Sequence, residues 1–180
     1  MSDPRAWLTR SGRYGERDEW ALANAVSPGG FDKVPDLSGC QSLADVKALV
    51  AEALPSESAN TIGNFAAQLW ALAGRMAVGD YVVLPLKTTS QVAIGRVTGD
   101  YEYRSHEPDP DKRHVRPVDW IRTDIPRSAI KQDLLYSLGA FSTYCQVSRN
   151  EAVARIAMIA ETGSDPGSKI SLKPPLESLS

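Results

Sequence analysis

Aromatic and basic side chains are concentrated between residues 101 and 116, where they could bind a nucleic acid. Tyr101 and Tyr103 stand two positions apart, so their rings would share one face of an extended segment. The basic residues that follow are Arg104, His106, Lys112, Arg113, His114 and Arg116. Aromatic faces can stack on nucleobases, and arginines can contact phosphates. An ordinary solvated loop is an equal alternative, because residues 96–127 contain seven Lys and Arg against seven Asp and Glu.

The sequence shows no grouping of residues that would support catalysis. A restriction-type nuclease needs acidic residues and a lysine on a strand to hold Mg²⁺, and no such cluster falls on a predicted strand. Phosphate-binding and nucleophile motifs are absent, and the two cysteines and two histidines lack metal-ligand spacing. We therefore predict a non-catalytic chain with no cofactor and no metal. A small hydrolase is an alternative, with Glu16 or Asp36 as the base and Arg13 holding an anion.

Composition favours one globular domain in the cytoplasm. The chain has 180 residues, and 42% of them are hydrophobic, which is enough for a core. No apolar run is long enough to span a membrane, and the first residues lack the pattern of a signal peptide. Cys40 and Cys145 are predicted to be reduced and structural. The net charge of -2 argues against an indiscriminate polyanion binder, so any contact with nucleic acid must be local.

The periodicity of the apolar residues predicts an α+β fold. Helices are expected at residues 16–25, 43–54, from 60 or 61 to before 79, 132–138 and 150–160. Strands are expected at residues 7–10, 80–86, 91–97, 115–122 and 145–147. Pro117 cannot donate a backbone hydrogen bond and therefore indicates an edge position or a bulge. Helices would flank a strand-rich centre that could curl into a small barrel, and a core domain at residues 1–162 would precede a linker at residues 163–180.

Large aromatic side chains elsewhere in the sequence divide into two groups. Trp20, Trp70 and Trp120 fall on apolar helix or strand patterns, which favours packing in the core. Phe31 follows a Pro-Gly-Gly turn, so its ring either packs into the core or lines a cavity, and the pattern favours neither. A binding role is therefore open for Phe31 above all.

A set of short motifs resembles the N-terminal half of bacterial Mrr-type restriction endonucleases, which act on modified DNA. The motifs are Gly12-Arg13-Tyr14-Gly15-Glu16, Gly30-Phe31-Asp32 with Pro35-Asp36-Leu37, and the segments at residues 64–70, 79–86, 95–103 and 114–120. The resemblance covers roughly residues 7–160. It implies that a C-terminal Mrr nuclease domain follows the linker in the parent protein, a type IV, modification-dependent enzyme of the bacterial cytoplasm.

The central part is similar, more distantly, to the EVE and YTH domains of the PUA-like superfamily, small barrels that read modified bases in an aromatic cage. This similarity implies that Phe31 takes the first cage position, which is often Trp, and that Tyr101 or Tyr103 forms the opposite wall, with Trp70 as a further member. The polar residues at the base edge would be Asn64, Asp36 and Gln68. Phosphate contacts would come from Arg10, Arg13, Arg104, Arg113 and Arg116, and Tyr14 would wedge into the gap left by the base.

The residues and the resemblance together predict a domain that binds double-stranded DNA carrying a modified cytosine. The expected mark is 5-methylcytosine, and the base would be flipped into the aromatic cage. The domain would thereby target an attached nuclease to modified foreign DNA. Alternatives are a reader of N6-methyladenine or of methylated RNA, and a protein-interaction domain that assembles the nuclease.

Overall fold

Short apolar segments bounded by turns form the seven strands of this computed structural model, which describes residues 3–139 and 142–168. The strands are β1 (Ala6–Thr9), β2 (Tyr81–Pro85), β3 (Gln91–Val97), β4 (Glu102–Tyr103), β5 (His114–Val115), β6 (Val118–Pro126) and β7 (Tyr144–Gln146). Five of them form one sheet in the order β6-β3-β2-β1-β7, and β4 pairs with β5 separately. The sheet is mixed, because β1 is parallel to β2 while its other pairs are antiparallel.

The helices begin at polar caps or turns and cover the sheet. They are α1 (Asp18–Asn24), α2 (Leu43–Ala53), α3 (Ala59–Trp70), α4 (Gln132–Ser137) and α5 (Ala152–Thr162). The Ser42 hydroxyl accepts a hydrogen bond from the Asp45 N–H at 3.2 Å, and Ser58 does the same for Thr61, so α2 and α3 have side-chain N-caps. A π-helical turn, Ala71–Arg75, continues α3. Three-residue 3₁₀ helices occur at Pro110–Lys112, Arg127–Ala129 and Arg149–Glu151.

Alternation along β1 separates two apolar layers. Leu8 faces a buried cluster with Leu134 of α4 and Ile156 of α5, whereas Trp7 faces the opposite layer with Leu72 of the π-helical turn. Successive side chains on a strand point to opposite faces, so one four-residue strand contributes to both layers. A third cluster joins α2 to α3 through residues that include Val46, Val50 and Leu69.

The α+β class is confirmed, and the strands predicted at residues 80–86 and 91–97 are β2 and β3. Two expectations were wrong in detail. The described residues form an open five-stranded sheet and no closed barrel. The strand predicted at residues 115–122 is divided by Pro117, whose carbonyl instead accepts a hydrogen bond from the Thr98 N–H at 3.0 Å. The third helix ends before Gly79 as predicted, with its last turn, Ala71–Arg75, in π-helical form.

Packed structure continues beyond Thr162, where the predicted domain ends. The Asp165 carboxylate is buried and accepts hydrogen bonds from Arg155 Nε at 2.9 Å, Arg155 Nη2 at 2.7 Å and the Lys131 N–H at 2.9 Å. Burial opposes ionisation of Asp165, but the hydrogen bonds from Arg155 hold its pKa below the usual value. Part of the predicted linker therefore belongs to the domain, and its residues 169–180 lie outside the described residues. Among the described helices, none has the length and apolar character of a membrane span.

Candidate functional site

A cleft of about 1180 Å³ lies where β1 and β2 end and β3 begins. Four of its lining residues are cations, and none of the described residues that line it is an aspartate or a glutamate. We name this feature the basic cleft. Its lining residues are Arg10, Gly12, Arg13, Tyr14, Pro85, Leu86, Lys87, Ser90, Arg127, Leu138, Gly139 and Thr143. A depression of this size with one sign of charge attracts anions.

One wall of the basic cleft is the loop at residues 11–15. Gly12 and Gly15 have φ values of +100° and +74°, in the left-handed region that favours glycine. A side chain at Gly12 would overlap the Glu16 carboxylate, which accepts a hydrogen bond from the Tyr14 N–H at 2.6 Å. The loop thus holds Tyr14 outward with 72% of its surface exposed. The Arg13 guanidinium lies 5.5 Å from the centre of the Tyr14 ring.

Asp18 joins this loop to the opposite wall. Its carboxylate is 1% exposed and accepts hydrogen bonds from the Ser11 hydroxyl and from the backbone N–H groups of Lys87 and Thr88, the last two at 2.8 and 3.1 Å. The Thr88 hydroxyl donates a further bond at 3.2 Å. One buried carboxylate therefore fixes the positions of both walls.

Two cations of the basic cleft, Arg10 and Arg127, are near enough for the charge of one to act on the other. Arg10 Nη2 donates to the Leu138 carbonyl at 2.9 Å, which anchors the guanidinium at the cleft wall. Burial lowers the pKa of Arg10, and the nearby charge of Arg127 lowers it further, but an arginine stays charged at neutral pH. Within the described residues, Arg13, Lys87 and Arg127 have no carboxylate at ion-pairing distance. An anion in the cleft would relieve their mutual repulsion.

The aromatic residues predicted to form a cage lie in a second region. Phe31, Trp70 and Tyr101 all pack against the buried cluster between α2 and α3. The Phe31 ring makes an edge contact with Phe65 at 5.4 Å and a stacked contact with Tyr144 at 6.5 Å between ring centres. Three of the four predicted cage residues therefore pack against the same buried cluster. None of these three residues lines the basic cleft.

Phe31 has a backbone conformation that aromatic residues rarely adopt. Its φ is +61°, and Gly29 and Gly30 before it are also left-handed, at +73° and +108°. The Tyr144 hydroxyl donates to the Gly29 carbonyl at 2.5 Å, and the Gly30 N–H donates to the Asp111 carbonyl at 2.8 Å. These bonds hold a conformation that costs of the order of 1–3 kcal/mol, which is typical of functional sites.

The Tyr101 hydroxyl is engaged in a hydrogen-bond chain. It accepts from the Leu37 N–H at 3.2 Å and lies 2.6 Å from His114 Nδ1, while His114 Nε2 lies 2.8 Å from the Val34 carbonyl. A carbonyl oxygen can only accept, so His114 carries a proton on Nε2, and in the neutral ring Nδ1 accepts a hydrogen bond from the Tyr101 hydroxyl. Burial lowers the pKa of His114 and raises that of Tyr101, in agreement with this arrangement. The Tyr103 ring is 5.1 Å from the His114 ring.

Gln68 connects the aromatic region to the basic cleft. It is buried, and its Nε2 donates to Asn64 Oδ1 at 2.6 Å. Its Oε1 accepts from the N–H groups of Thr143, a cleft residue, at 2.7 Å and of Tyr144 at 3.2 Å. Gln68 therefore supports the chain instead of presenting a free amide to a base. The exposed Asp36 accepts hydrogen bonds from the N–H and hydroxyl of Ser38 at 2.9 and 2.6 Å.

Comparison with known protein families identifies a match over residues 9–141, to a domain of unknown function named DUF8426. The chain belongs to the DUF8426 family. No curated protein matches the sequence. The matched region of the DUF8426 domain contains every lining residue of the basic cleft except Thr143, and also contains Phe31, Trp70, Tyr101 and Tyr103. The kinship with Mrr-type enzymes stays a prediction.

The arginines predicted to contact DNA occupy three different environments in this DUF8426 chain. Arg10 and Arg13 line the basic cleft together with Tyr14. Arg104 pairs with Glu102 at 3.3 Å, and Arg113 Nε donates to the Glu107 carbonyl at 3.0 Å, and neither lines the cleft. Lys87 and Arg127 were missed by the sequence reasoning, although Lys87 lies in the turn after β2 and Arg127 begins the 3₁₀ helix that follows β6.

Arg116 requires a correction. It is 4% exposed, and its guanidinium donates to the carbonyls of Leu72 at 2.8 Å, Gly99 at 3.0 Å and Met76 at 2.6 Å. Burial lowers the pKa of Arg116. The guanidinium satisfies the carbonyls around the π-helical turn, so it is not available to a phosphate in this structure. Among the described residues, no group of His, Cys, Asp and Glu is arranged to hold a metal ion.

Proposed function

We propose that this DUF8426 domain binds DNA without acting on it chemically, and that DNA phosphates occupy the basic cleft. The observation that carries the proposal is a set of four cations around a cleft whose lining, within the part of the chain that the structure describes, contains no carboxylate: Arg10, Arg13, Lys87 and Arg127. The chain as a whole has a net charge of -2, so this positive charge is a local feature. Localised cations on fixed walls are the arrangement expected for phosphate contacts.

The remaining cleft surface favours a nucleic acid over a simple anion. Leu86 and Leu138 are buried apolar residues of the cleft, and Pro85 lies beside Leu86. Tyr14 stands exposed at the same site, where the face of its ring that Arg13 does not cover can stack on a base. A ligand with both phosphates and flat apolar rings would use every part of this surface.

The finer proposal is that the domain reads a modified base, with 5-methylcytosine as the mark. Its support is the convergence of Phe31, Trp70 and Tyr101 on one cluster, and the link from this cluster through Gln68 to the cleft residue Thr143. The left-handed Phe31 marks a position where backbone strain is tolerated. In this proposal the domain binds the modified base in the manner of PUA-like domains, and a Mrr-type nuclease domain of the parent protein cuts the modified foreign DNA.

The decisive experiment measures the binding of labelled duplexes to the chain and to two variants. Arg13→Gln removes an exposed cleft cation, and Lys47→Gln removes an exposed cation on α2, outside the cleft. We expect Arg13→Gln to weaken binding of all duplexes by roughly five-fold, equivalent to about 1 kcal/mol, and Lys47→Gln to leave it unchanged. Equal affinities for the two variants would contradict the assignment of the cleft.

The choice of mark is tested with matched probes. Duplexes with cytosine, 5-methylcytosine, 5-hydroxymethylcytosine or N6-methyladenine, and an RNA with N6-methyladenine, are compared at one salt concentration because phosphate binding depends on salt. Preference for 5-methylcytosine is the expected result. Preference for N6-methyladenine in DNA or RNA would replace the proposed mark, and metal-dependent cleavage of any probe would overturn the non-catalytic role.

A further inference from the structure

Two arginines lie on one indole at the end of the sheet opposite the basic cleft. The guanidinium carbons of Arg5 and Arg75 are 5.3 and 5.0 Å from the centre of the Trp7 ring. Arg5 precedes β1 and Arg10 of the basic cleft follows it, so the two sites are separated by the length of that strand. Arg75 comes from the π-helical turn after α3. In the basic cleft, by comparison, the Tyr14 ring has one arginine, Arg13, beside it.

Both side chains are held in place. Arg75 Nη2 donates to Gln146 Oε1 at 2.7 Å, and Arg5 Nη2 donates to the Arg75 carbonyl. The Arg5 N–H donates to Asp80 Oδ1 at 3.0 Å. Arginines that are already ordered lose less conformational entropy when they bind an anion. The two guanidinium groups are therefore already ordered for an anion, and they also pack on the Trp7 ring.

The charge of the two arginines is only partly compensated. Asp80 Oδ2 lies 3.9 Å from Arg5 Nε, but the same oxygen accepts hydrogen bonds from Trp7 Nε1 at 2.9 Å and the Ala77 N–H at 3.0 Å. Within the described residues, Arg75 has no carboxylate at ion-pairing distance, and it is exposed. Positive charge thus remains at a solvent-accessible position.

Strand β7 connects the two positive sites. Thr143, just before β7, lines the basic cleft, and Gln146 at its end contacts Arg75. Three residues of strand span about 10 Å, which is comparable to the width of a DNA groove, about 6 Å or 12 Å. Among the described strands, β7 is an edge of the sheet. Phosphates of one duplex can therefore reach both sites along this edge.

We infer that Arg5 and Arg75 form a second phosphate-binding site, which contacts the same DNA that occupies the basic cleft. The inference rests on the proposed function. It adds a second contact surface at the end of β7 away from the basic cleft, and it assigns DNA-binding roles to two arginines outside the aromatic and basic stretch at residues 101–116.

The test is the salt dependence of duplex binding, measured by fluorescence anisotropy with an unmodified duplex. The salt concentration is varied between about 50 and 200 mM, because affinity that comes from phosphate contacts falls steeply over this range. Arg75→Gln removes the exposed charge, Arg75→Lys retains it, and Lys47→Gln is the control for loss of a distant charge. We expect Arg75→Gln to make the slope of log K against log salt shallower by about 0.9, the value of one phosphate contact. Arg75→Lys and Lys47→Gln should keep the original slope. Thermal denaturation of each variant shows that the fold is retained.

Comparison with Arg13→Gln separates the two proposals. A shallower slope for both Arg13→Gln and Arg75→Gln supports both sites. A shallower slope for Arg13→Gln alone overturns the second site and leaves the basic cleft in place. An unchanged slope in both variants overturns both. If Arg75→Gln destabilises the fold, Arg5→Lys and Arg5→Gln are compared instead, and equal slopes for these two variants contradict the second site.

Discussion

The Asp18 carboxylate accepts a hydrogen bond from the Lys87 N–H at 2.8 Å, although the two residues are 69 positions apart in the chain. The same side chain accepts a bond from the Ser11 hydroxyl. The loop that presents Arg13 and the turn that presents Lys87 therefore depend on one buried group. The two walls therefore keep a fixed separation only while the carboxylate oxygens of Asp18 accept these hydrogen bonds.

Asp18→Asn should loosen the basic cleft. The amide would direct N–H groups toward the backbone donors of Lys87 and Thr88, so we expect a loss of about 1–3 kcal/mol in the free energy of unfolding. DNA binding should weaken under conditions where the variant is still folded. Glu19→Gln is the matched control, since Glu19 is the next residue and is exposed. Equal stability of the two variants, measured by chemical denaturation, would contradict the role of Asp18.

Phe31 can be tested for packing and for base binding separately. Because its ring contacts Phe65 and Tyr144, Phe31→Ala should reduce the free energy of unfolding by roughly 2–3 kcal/mol, somewhat less than for a fully buried ring. Phe31→Leu keeps most of the volume and should cost less than about 1.5 kcal/mol. If the ring stacks on the base, Phe31→Leu should also reduce the preference for a methylated duplex. An unchanged preference would make Phe31 purely structural.

Arg116→Lys should destabilise the domain although it keeps the positive charge. An ammonium group cannot reach the carbonyls of Leu72, Met76 and Gly99 in the way that the planar guanidinium does. We expect a loss of roughly 2–4 kcal/mol, measured by urea denaturation. Arg113→Lys, whose guanidinium makes one bond to a carbonyl, should cost less than about 1 kcal/mol. The two variants would lose equal stability only if Arg116 were exposed in solution.

The buried His114 predicts a dependence of stability on pH. Burial lowers its pKa from 6.5 in the folded chain, so the unfolded chain binds a proton at a higher pH than the folded chain does. Stability is therefore fully present above pH 6.5 and decreases as the pH falls through 6.5 toward the folded pKa, by at most about 1.4 kcal/mol per pH unit.

His114→Gln should make this decrease shallower, while His106→Gln, at a side chain that is 75% exposed, should retain it. The measurement is the midpoint of thermal unfolding between pH 8 and pH 5.5. Persistence of the full decrease in His114→Gln would assign it to other groups.

Local patterns predicted the strands better than the sites. The apolar run at residues 91–97 specifies β3 because its neighbours are turn residues. Arg116 could not be predicted, because the carbonyls that bury it come from the π-helical turn and from Gly99, which the sequence does not place next to it. Lys87 belongs to the cleft only because Asp18 holds its turn there.

The position of β1 determines the order in which the sheet can be completed during synthesis. Trp7 is in register with Val82 on one side of β1 and with Gln146 on the other. Strand β1 can therefore complete its pairing only after both partners have been synthesised, while β2 and β3 can form a hairpin as soon as residue 97 has left the ribosome. Such distant pairing slows folding and leaves apolar surface exposed in partly synthesised chains. Nascent chains that end before Gln146 should depend most on chaperones, since Trp7 lacks one of its two strand partners until that residue has been made.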